Sequence, residues 1–358
     1  MLPENIALIE FGGSHDECLY SQVLFLKKYN YRVHLLLFED HYRRINLWPE
    51  VDNWQTWLSP SGKMGEWKLV FKILKFLRRN NISKAVINTA EGNTIRKLSI
   101  ASGKKIEYIG IIHLARKLWT SGTQKIISRK IKKYFVLADF INENLGMKDP
   151  GLDTEFFYPV FFPKTELPTP EPENRDFLVC VPGAVDFARR DYNALMDEIR
   201  LSGIPTQIRF MLLGRTTGPD GKNLISRIRA DGLEKQFITF EGFLDYKLFY
   251  ENISISDLIL PLITPGSFDY NDYLNYKVTG SYNLAWGFQR PMLMHDSFSD
   301  YRIFRETSVF FRSGEMMQAI EELAGQEDRL GKLRKNISGL KDFDFDVQAE
   351  KYVNFIRG

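Results

Sequence analysis

Cysteine is almost absent from this sequence. The two cysteines, Cys18 and Cys180, lie far apart in the chain and match no disulfide framework or metal-ligand motif. A chain of 358 residues, of which 44% are apolar, can bury a large core without covalent staples. We therefore expect a cytoplasmic protein, because reduced cysteines are typical of that compartment.

Long apolar runs are also missing. No segment reaches the roughly 18 to 20 apolar residues that a membrane-spanning helix needs. The first apolar run, residues 6–9, passes directly into Glu10 without the basic lead of a signal peptide. The composition, with 26% charged residues and a net charge of +3, is ordinary for a soluble globular enzyme.

Several catalytic motifs have no match. The Gly-rich segment after residue 10 is not Gly-x-Gly-x-x-Gly and has no acidic partner at the ribose spacing, which argues against a nicotinamide site. Walker and Gly-x-Ser-x-Gly patterns are absent. No His–Cys set occurs, and no Asp-x-Asp motif stands where it would hold a metal-bound diphosphate. The sequence therefore predicts no metal site and no cofactor.

The chain repeats one pattern of strands and helices. Apolar runs at 5–10 and 32–38 flank a Gly turn and a helical periodicity, and the same order restarts at residue 176. A Pro-rich stretch separates the two halves. We predict an N-terminal domain (1–158), a linker (159–175), a C-terminal domain (176–340) and a final segment (341–358) whose helix packs back on the first domain. Residues 49–62, rich in Trp, Pro, Ser and Gly, predict an irregular loop.

Ligands of parallel sheets bind beyond the carboxyl ends of the strands, where helix N-termini attract anions. In the second half these ends carry glycines, cations and hydroxyl groups: Gly183, Arg189, Arg190, Gly214, Arg215, Gly242, Phe243, Lys277, Thr279, Gly280 and Ser281. Guanidinium groups and free amides suit a diphosphate. Each feature also has a structural interpretation: an arginine paired with Asp186 or Asp191, an ordinary capped helix near Thr279, and Phe243 in the core.

In the first half, polar residues follow the predicted strands in the same way. Gly12, Gly13, Ser14, His15 and Asp16 form a small-residue loop after the first strand. Glu91 and His113 stand at the ends of two later strands. A single histidine is more often structural, so only its position makes His113 a candidate.

The order of these elements resembles a known family. Gly183 with Arg189-Arg190, then Gly214-Arg215, then Glu241-Gly242-Phe243, then Lys277 to Ser281 follow one another as in the donor-binding domain of GT-B glycosyltransferases. The large retaining family that includes sucrose synthase and bacterial mannosyltransferases is the most similar. The chain departs from it in one respect, because Tyr276 and Leu284 stand where that family carries two glutamates separated by seven residues.

The resemblance implies a fold and an activity. The fold is two Rossmann-like β/α/β domains facing across a cleft. The activity is transfer of a hexose, without a metal ion, from a nucleotide-diphosphate sugar to a saccharide or lipid-linked saccharide. The second domain would bind the donor through the residues given above. Gly12, Gly13, Ser14 and His15 would bind the acceptor, and His113 would contact the donor sugar.

The stereochemistry stays open at this point. An inverting enzyme would need a base, for which Asp16, His15 and Glu91 are candidates, whereas a retaining enzyme would not clearly need one. Two alternatives share the scaffold: a sugar-nucleotide epimerase, and a degenerate nucleotide-sugar-binding protein without activity.

Two basic clusters lie in the first half, within residues 63–79 and 116–133. They are typical of solvated helix faces. This is the interpretation that we favour, although the first cluster, together with Trp67, Leu69, Phe71, Ile73 and Phe76, also suits peripheral attachment to an anionic membrane, at its inner face. We expect no nucleic-acid partner.

Overall fold

The computed structural model describes residues 3–13, 15–45, 48–146, 151–163, 175–242 and 244–358. The chain divides into two compact units. The first comprises Met1–Pro163, Asn275–Val278 and Asp344–Gly358, and the second comprises Lys164–Leu274 and Thr279–Phe343.

The strands form two parallel sheets. Those of the first unit are β1 Glu4–Glu10, β2 Tyr31–Phe38, β3 Asn53–Trp57, β4 Lys84–Ile87, β5 Glu107–Ile111, β6 Lys133–Val136 and β7 Asp153–Phe156. Those of the second unit are β8 Phe177–Pro182, β9 Ile208–Arg215, β10 Phe237–Phe240, β11 Leu258–Ile259, β12 Met292–His295 and β13 Ser308–Phe311.

Helices follow most strands. They are α1 Leu19–Lys28, α2 Glu39–Arg44, α3 Gly62–Arg79, α4 Gly92–Ala101, α5 Lys117–Thr120, α6 Gly122–Lys130, α7 Asp139–Gly146, α8 Tyr192–Ser202, α9 Pro219–Ala230, α10 Tyr246–Ile255, α11 Tyr270–Asn275, α12 Gly280–Gly287, α13 Arg302–Thr307, α14 Met316–Ala324, α15 Glu327–Gly339 and α16 Phe345–Arg357.

The strand order fixes where a ligand can bind in each unit. The sheets run β3-β2-β1-β4-β5-β6-β7 and β10-β9-β8-β11-β12-β13. In each sheet, the second and third strands along the chain lie on one side of the first strand, and all later strands lie on its other side. The order therefore reverses between β1 and β4 and between β8 and β11, and loops leaving such neighbours open a crevice at their carboxyl ends.

The last helix, α16, completes the core of the first unit. Tyr352 is fully buried and stacks on Phe135, with ring centroids 4.7 Å apart, and its edge meets Phe157 at 5.0 Å. Its hydroxyl group donates a hydrogen bond to Oε1 of Gln22 at 2.8 Å. Asp346 pairs with Lys28 on α1. Helix α16 therefore packs within the first unit through both apolar and polar contacts.

The predicted fold class, with two parallel α/β domains, is confirmed. The prediction of an irregular loop at 49–62 is wrong, because β3 lies within it and pairs with β2 from His34–Asn53 to Phe38–Trp57. Trp and Thr favour strands; the Pro, Ser and Gly residues mark only the ends of this edge strand.

Candidate functional site

In the second unit, the loop after β8 encloses an arginine side chain. Gly183 has a φ of 98°, which favours glycine, and a Cβ atom there would lie 2.8 Å from Nη2 of Arg190. The guanidinium group donates to the carbonyl oxygens of Pro182 and Ala184. Arg190 is only 9% exposed, and its buried Nε has no hydrogen-bond partner among the described residues.

The neighbouring arginine behaves differently. The Arg189 side chain is 60% exposed, and its Nε lies 3.3 Å from Oδ2 of Asp186. In the part of the chain that the structure describes, Arg190 pairs with no carboxylate. Of the two adjacent arginines, Arg190 is therefore the one whose charge no carboxylate of the described residues neutralises.

Asp191 joins the loops on either side of the crevice between β8 and β11. Its Oδ1 caps α8 by accepting from the Ala194 amide at 3.0 Å, and its Oδ2 accepts from the Thr264 hydroxyl group. A Cβ atom on Gly266 would lie 2.3 Å from that Oδ2, so a larger residue there would force the carboxylate to move. Sequence reasoning did not assign Thr264 and Gly266 to the site, although a Thr-Pro-Gly turn after a strand was a usable signal.

The first turn of α12 lies near Arg190. Thr279 caps the helix, because its hydroxyl oxygen accepts a hydrogen bond from the Ser281 amide at 3.4 Å. Gly280 is the first residue of the helix, and the Ser281 side chain is buried. Burial raises the pKa of the Tyr282 hydroxyl group well above its usual value, and the Arg190 charge opposes that rise. The Arg190 charge therefore acts on the first turn of α12.

The other predicted donor residues are spread along this edge. Gly214 lies so close to the Gly183 backbone that a Cβ atom on Gly214 would be only 2.4 Å from it. Arg215, at the end of β9, and Gly242 are exposed. Phe243 lies outside the described residues. Lys277 belongs to the first unit, unlike Thr279, Gly280 and Ser281.

In the first unit, the first strand ends in a buried carboxylate. Glu10 accepts hydrogen bonds from the Gly12 amide, the Asn88 side-chain amide and the Thr89 hydroxyl group. A Cβ atom on Gly12 would lie 2.6 Å from Oε1 of Glu10. Burial raises the pKa of Glu10, and these hydrogen bonds and nearby His15 oppose the rise only in part.

Two histidines stack beside this carboxylate. The rings of His15 and His113 lie 3.6 Å apart at 11°. Nε2 of His113 lies 2.7 Å from the Asn88 carbonyl oxygen, which can only accept, so Nε2 carries the hydrogen. Burial, His15 and Lys117 hold the pKa of His113 well below its usual value, against the bond to Asn88.

Glu91 and Asp16 are held by their surroundings. Oε1 of Glu91 accepts from the His113 amide at 3.3 Å, and Oε2 pairs with Lys117. Asp16 is buried. Gly13 has open space around it, and Ser14 lies outside the described residues.

Sequence reasoning did not select Glu10, Asn88 or Thr89. A charged residue that ends an otherwise apolar strand, and an Asn-Thr pair directly after another strand, were the available signals. Among the described residues, no group of three or more His, Cys, Asp and Glu side chains is arranged to hold a metal ion. In the same part of the chain, no helix combines the length and apolarity needed to cross a membrane.

Neither family models nor curated proteins match the sequence. Solved structures do. A glycosyltransferase from Rickettsia africae is 12% identical, with a TM-score of 0.66 and coverage of 99% of this chain and 98% of the other. Anabaena Alr3699/HepE in complex with UDP and glucose is 14% identical, with a TM-score of 0.67 and 99% of both chains covered.

A putative UDP-N-acetylglucosamine 2-epimerase from Listeria monocytogenes is also similar, at 12% identity and a TM-score of 0.62 over 99% of this chain and 96% of the other. The chain has the GT-B fold. Because a transferase and an epimerase share this fold, the GT-B architecture alone does not decide the reaction.

We expect Glu10→Gln to change how the stability of this GT-B protein varies with pH. A carboxyl group whose pKa rises on folding stabilises the fold most below its unfolded pKa, about 4.3. That contribution is lost as the pH rises through the folded pKa. The free energy of unfolding of the parent protein should therefore fall, relative to that of the variant, from about pH 4.5 towards neutral pH.

Urea unfolding followed by tryptophan fluorescence measures this difference, since five of the six tryptophans belong to the first unit. Glu350→Gln, at an exposed position of α16, is the matched control and should show no such trend. A difference that stays constant or grows with pH would contradict the assignment of Glu10 as a buried, destabilising charge.

Proposed function

We propose that the protein transfers a hexose from a nucleotide-diphosphate sugar to a saccharide or lipid-linked saccharide without a metal ion. The observation that carries the proposal is the buried guanidinium group of Arg190, placed at the switch point of the second sheet and near the N-terminus of α12. Likeness to HepE, whose structure holds UDP and glucose, supports it.

The charges of the second unit suit the leaving group. When the glycosidic bond breaks, negative charge grows on the diphosphate. Arg190 and the amide of Gly280 would stabilise that charge, and because the fold already fixes them they need no reorganisation during the reaction. Thr279 would add a hydroxyl group. Arg215 would contact the outer part of the donor, and Gly242 with Phe243 its nucleobase, whereas the exposed Arg189 stays paired with Asp186.

The first unit would receive the acceptor and the transferred sugar. Gly12, Gly13, Ser14 and His15 would line the acceptor position. His113, kept neutral with Nδ1 as a hydrogen-bond acceptor, would bind a sugar hydroxyl group. Asp16 and Glu91 remain candidate bases, although Asp16 is buried and Glu91 is paired with Lys117.

A sugar-nucleotide epimerase is the second candidate, because two epimerase structures cover nearly the whole chain. The two activities differ in one measurable respect. An epimerase converts its nucleotide sugar without an acceptor, whereas a transferase releases a nucleoside diphosphate when an acceptor is present.

We expect one of UDP, GDP and ADP to raise the melting temperature of the protein, and EDTA to leave that shift unchanged. Arg190→Ala should weaken binding at least tenfold, because a hydrogen bond to a charged group contributes about 1.5–3 kcal/mol. Arg189→Ala is the matched control and should bind nearly as well as the parent protein, since Arg189 is exposed and paired with Asp186.

Thermal-shift and calorimetric titrations measure these effects, and Thr279→Ala, which removes the hydroxyl group assigned to the donor, gives a second test if Arg190→Ala unfolds. Equal losses for Arg189→Ala and Arg190→Ala would contradict the site. A shift that EDTA abolishes would contradict metal independence.

We also propose that α3 attaches the protein to an anionic membrane. Met64, Phe71 and Arg78 are spaced by seven residues on one exposed face, and Lys68 and Lys75 lie on the same face. Phe71 is 62% exposed. Leu69 and Ile73 instead belong to the core of the first unit, so they are not available to lipid.

Vesicles that contain phosphatidylserine should sediment the parent protein at low salt and less of it at high salt. Phe71→Glu should reduce the bound fraction several-fold, because it removes an apolar contact and adds repulsion. Leu201→Glu, at a residue 89% exposed in the second unit, is the control and should leave binding unchanged. Absence of binding to anionic vesicles would overturn this proposal.

A further inference from the structure

We propose that the amino edge of the second sheet binds a dianionic phosphate group, either free phosphate or a phosphate monoester, through Arg175, Arg290 and Arg334. The strands of this sheet pair in parallel, so their amino ends lie at the edge opposite the crevice between β8 and β11. The site is therefore separate from the one proposed for the nucleotide sugar, and it goes beyond the proposed function.

The carboxylate of Asp257, which directly precedes β11, holds two of these arginines. Its Oδ1 accepts hydrogen bonds from Nη2 of Arg175 at 2.6 Å and from Nη2 of Arg334 at 3.2 Å. Its Oδ2 accepts from Nη1 of Arg175 at 2.9 Å and from the Leu178 amide at 2.9 Å. Because a carboxylate has about four acceptor positions, Asp257 has no position left for a further donor.

The third arginine, Arg290, reaches the same place from the neighbouring strand. β11 and β12 pair in parallel with Ile259 beside Met292. Two residues earlier, the same register puts Arg290 beside Asp257. The buried Nε of Arg290 has no hydrogen-bond partner among the described residues, and the same is true of the buried Nε of Arg334. Burial and the neighbouring guanidinium groups lower the pKa of Arg290 to about 10, although the Asp257 charge opposes that change.

The charges of this cluster do not balance. Three guanidinium groups share one carboxylate, which leaves a surplus of two positive charges. Asp176, which follows Arg175 in the chain, lies 3.8 Å from Nε of Arg209, so its charge is used elsewhere. A partly buried cation without a counter-charge destabilises a fold. A phosphate group carries close to two negative charges near neutral pH and would neutralise this surplus.

The arginines are accessible and already oriented. The side chains of Arg175 and Arg334 are 36% and 35% exposed, whereas that of Asp257 is 13% exposed. Since Asp257 fixes both guanidinium groups, little side-chain entropy is lost when a ligand binds. Guanidinium groups bind phosphate oxygens through paired N–H donors. A carboxylate ligand would neutralise only half of the surplus charge, so the cluster suits phosphate better.

The test is a calorimetric titration of the parent protein with inorganic phosphate and with glycerol 3-phosphate at constant ionic strength. Arg290→Met should weaken binding of both at least tenfold, because it removes a hydrogen-bonding charge from the ligand. Arg329→Met is the matched control and should bind as the parent protein does. Arg329 is exposed on the same helix as Arg334, and with 3.6 residues per turn it lies on a different face.

A second comparison separates this site from the carboxyl edge of the sheet. Arg190→Ala should keep its affinity for inorganic phosphate, since Arg190 lies at the opposite edge. If Arg190→Ala does not fold, Thr279→Ala takes its place in this comparison.

The stability of Arg290→Met gives an independent readout. In chloride, this variant should resist urea at least as well as the parent protein, because it lacks an unpaired charge that faces two like charges. Phosphate should raise the melting temperature of the parent protein and leave that of Arg290→Met unchanged. A cluster that serves only the fold would give a destabilised variant and no response to phosphate in either protein.

Both ligands can support the inference. Tighter binding of glycerol 3-phosphate would assign the site to a phosphate monoester, whereas equal or weaker binding would assign it to free phosphate. Absence of binding to the parent protein would overturn the inference, as would binding that Arg190→Ala abolishes and Arg290→Met leaves intact. Neither result bears on nucleotide-sugar transfer, which depends on the carboxyl edge.

Discussion

A buried cation, Arg190, that pairs with no carboxylate of the described residues is the constraint on which the ligand-binding edge of the second unit depends. Taking a guanidinium group out of water costs several kcal/mol unless other groups compensate it. For Arg190 the described residues supply only the carbonyl oxygens of Pro182 and Ala184. The positive φ of Gly183 and the close approach of Gly214 make the room that this arrangement needs. An anion at this edge would complete the compensation.

The first unit repeats the same topology with the opposite charge. Its first strand ends in Glu10, which is buried and accepts hydrogen bonds from neutral donors. At the corresponding place in the second unit, β8 is followed by the loop that carries Arg190. Gly12 and Gly183 each allow a charged side chain to fold back against the turn. One edge thus carries a buried cation, and the other carries carboxylates and two stacked histidines.

The sequence was sufficient for the fold class and for the strand ends that carry polar residues. Alternating strands and helices predicted two parallel sheets, and the Gly-turn restart at residue 176 predicted the second of them. Spacing alone did not separate Arg189 from Arg190, because the direction of a long side chain depends on the turn that Gly183 makes. It also missed β3, since only three strand-forming residues, Trp54, Thr56 and Trp57, stand between the turn residues and give a weak pattern.

Glu10 shows a second limit. A glutamate at the end of an apolar strand can point to solvent or fold under the following turn, and local sequence does not distinguish these. Its partners, Asn88 and Thr89, follow β4, 78 residues away along the chain, and only the pairing of β1 with β4 brings them together. Such contacts depend on sheet order rather than on any local motif.

Hydrogen–deuterium exchange with and without UDP, GDP and ADP tests the central claim most directly, namely that the second unit holds a nucleoside diphosphate at the crevice between β8 and β11. The account predicts that at least one of them slows exchange in residues 183–191 and 279–283. Protection confined to the first unit, or no protection with any of the three, would contradict it.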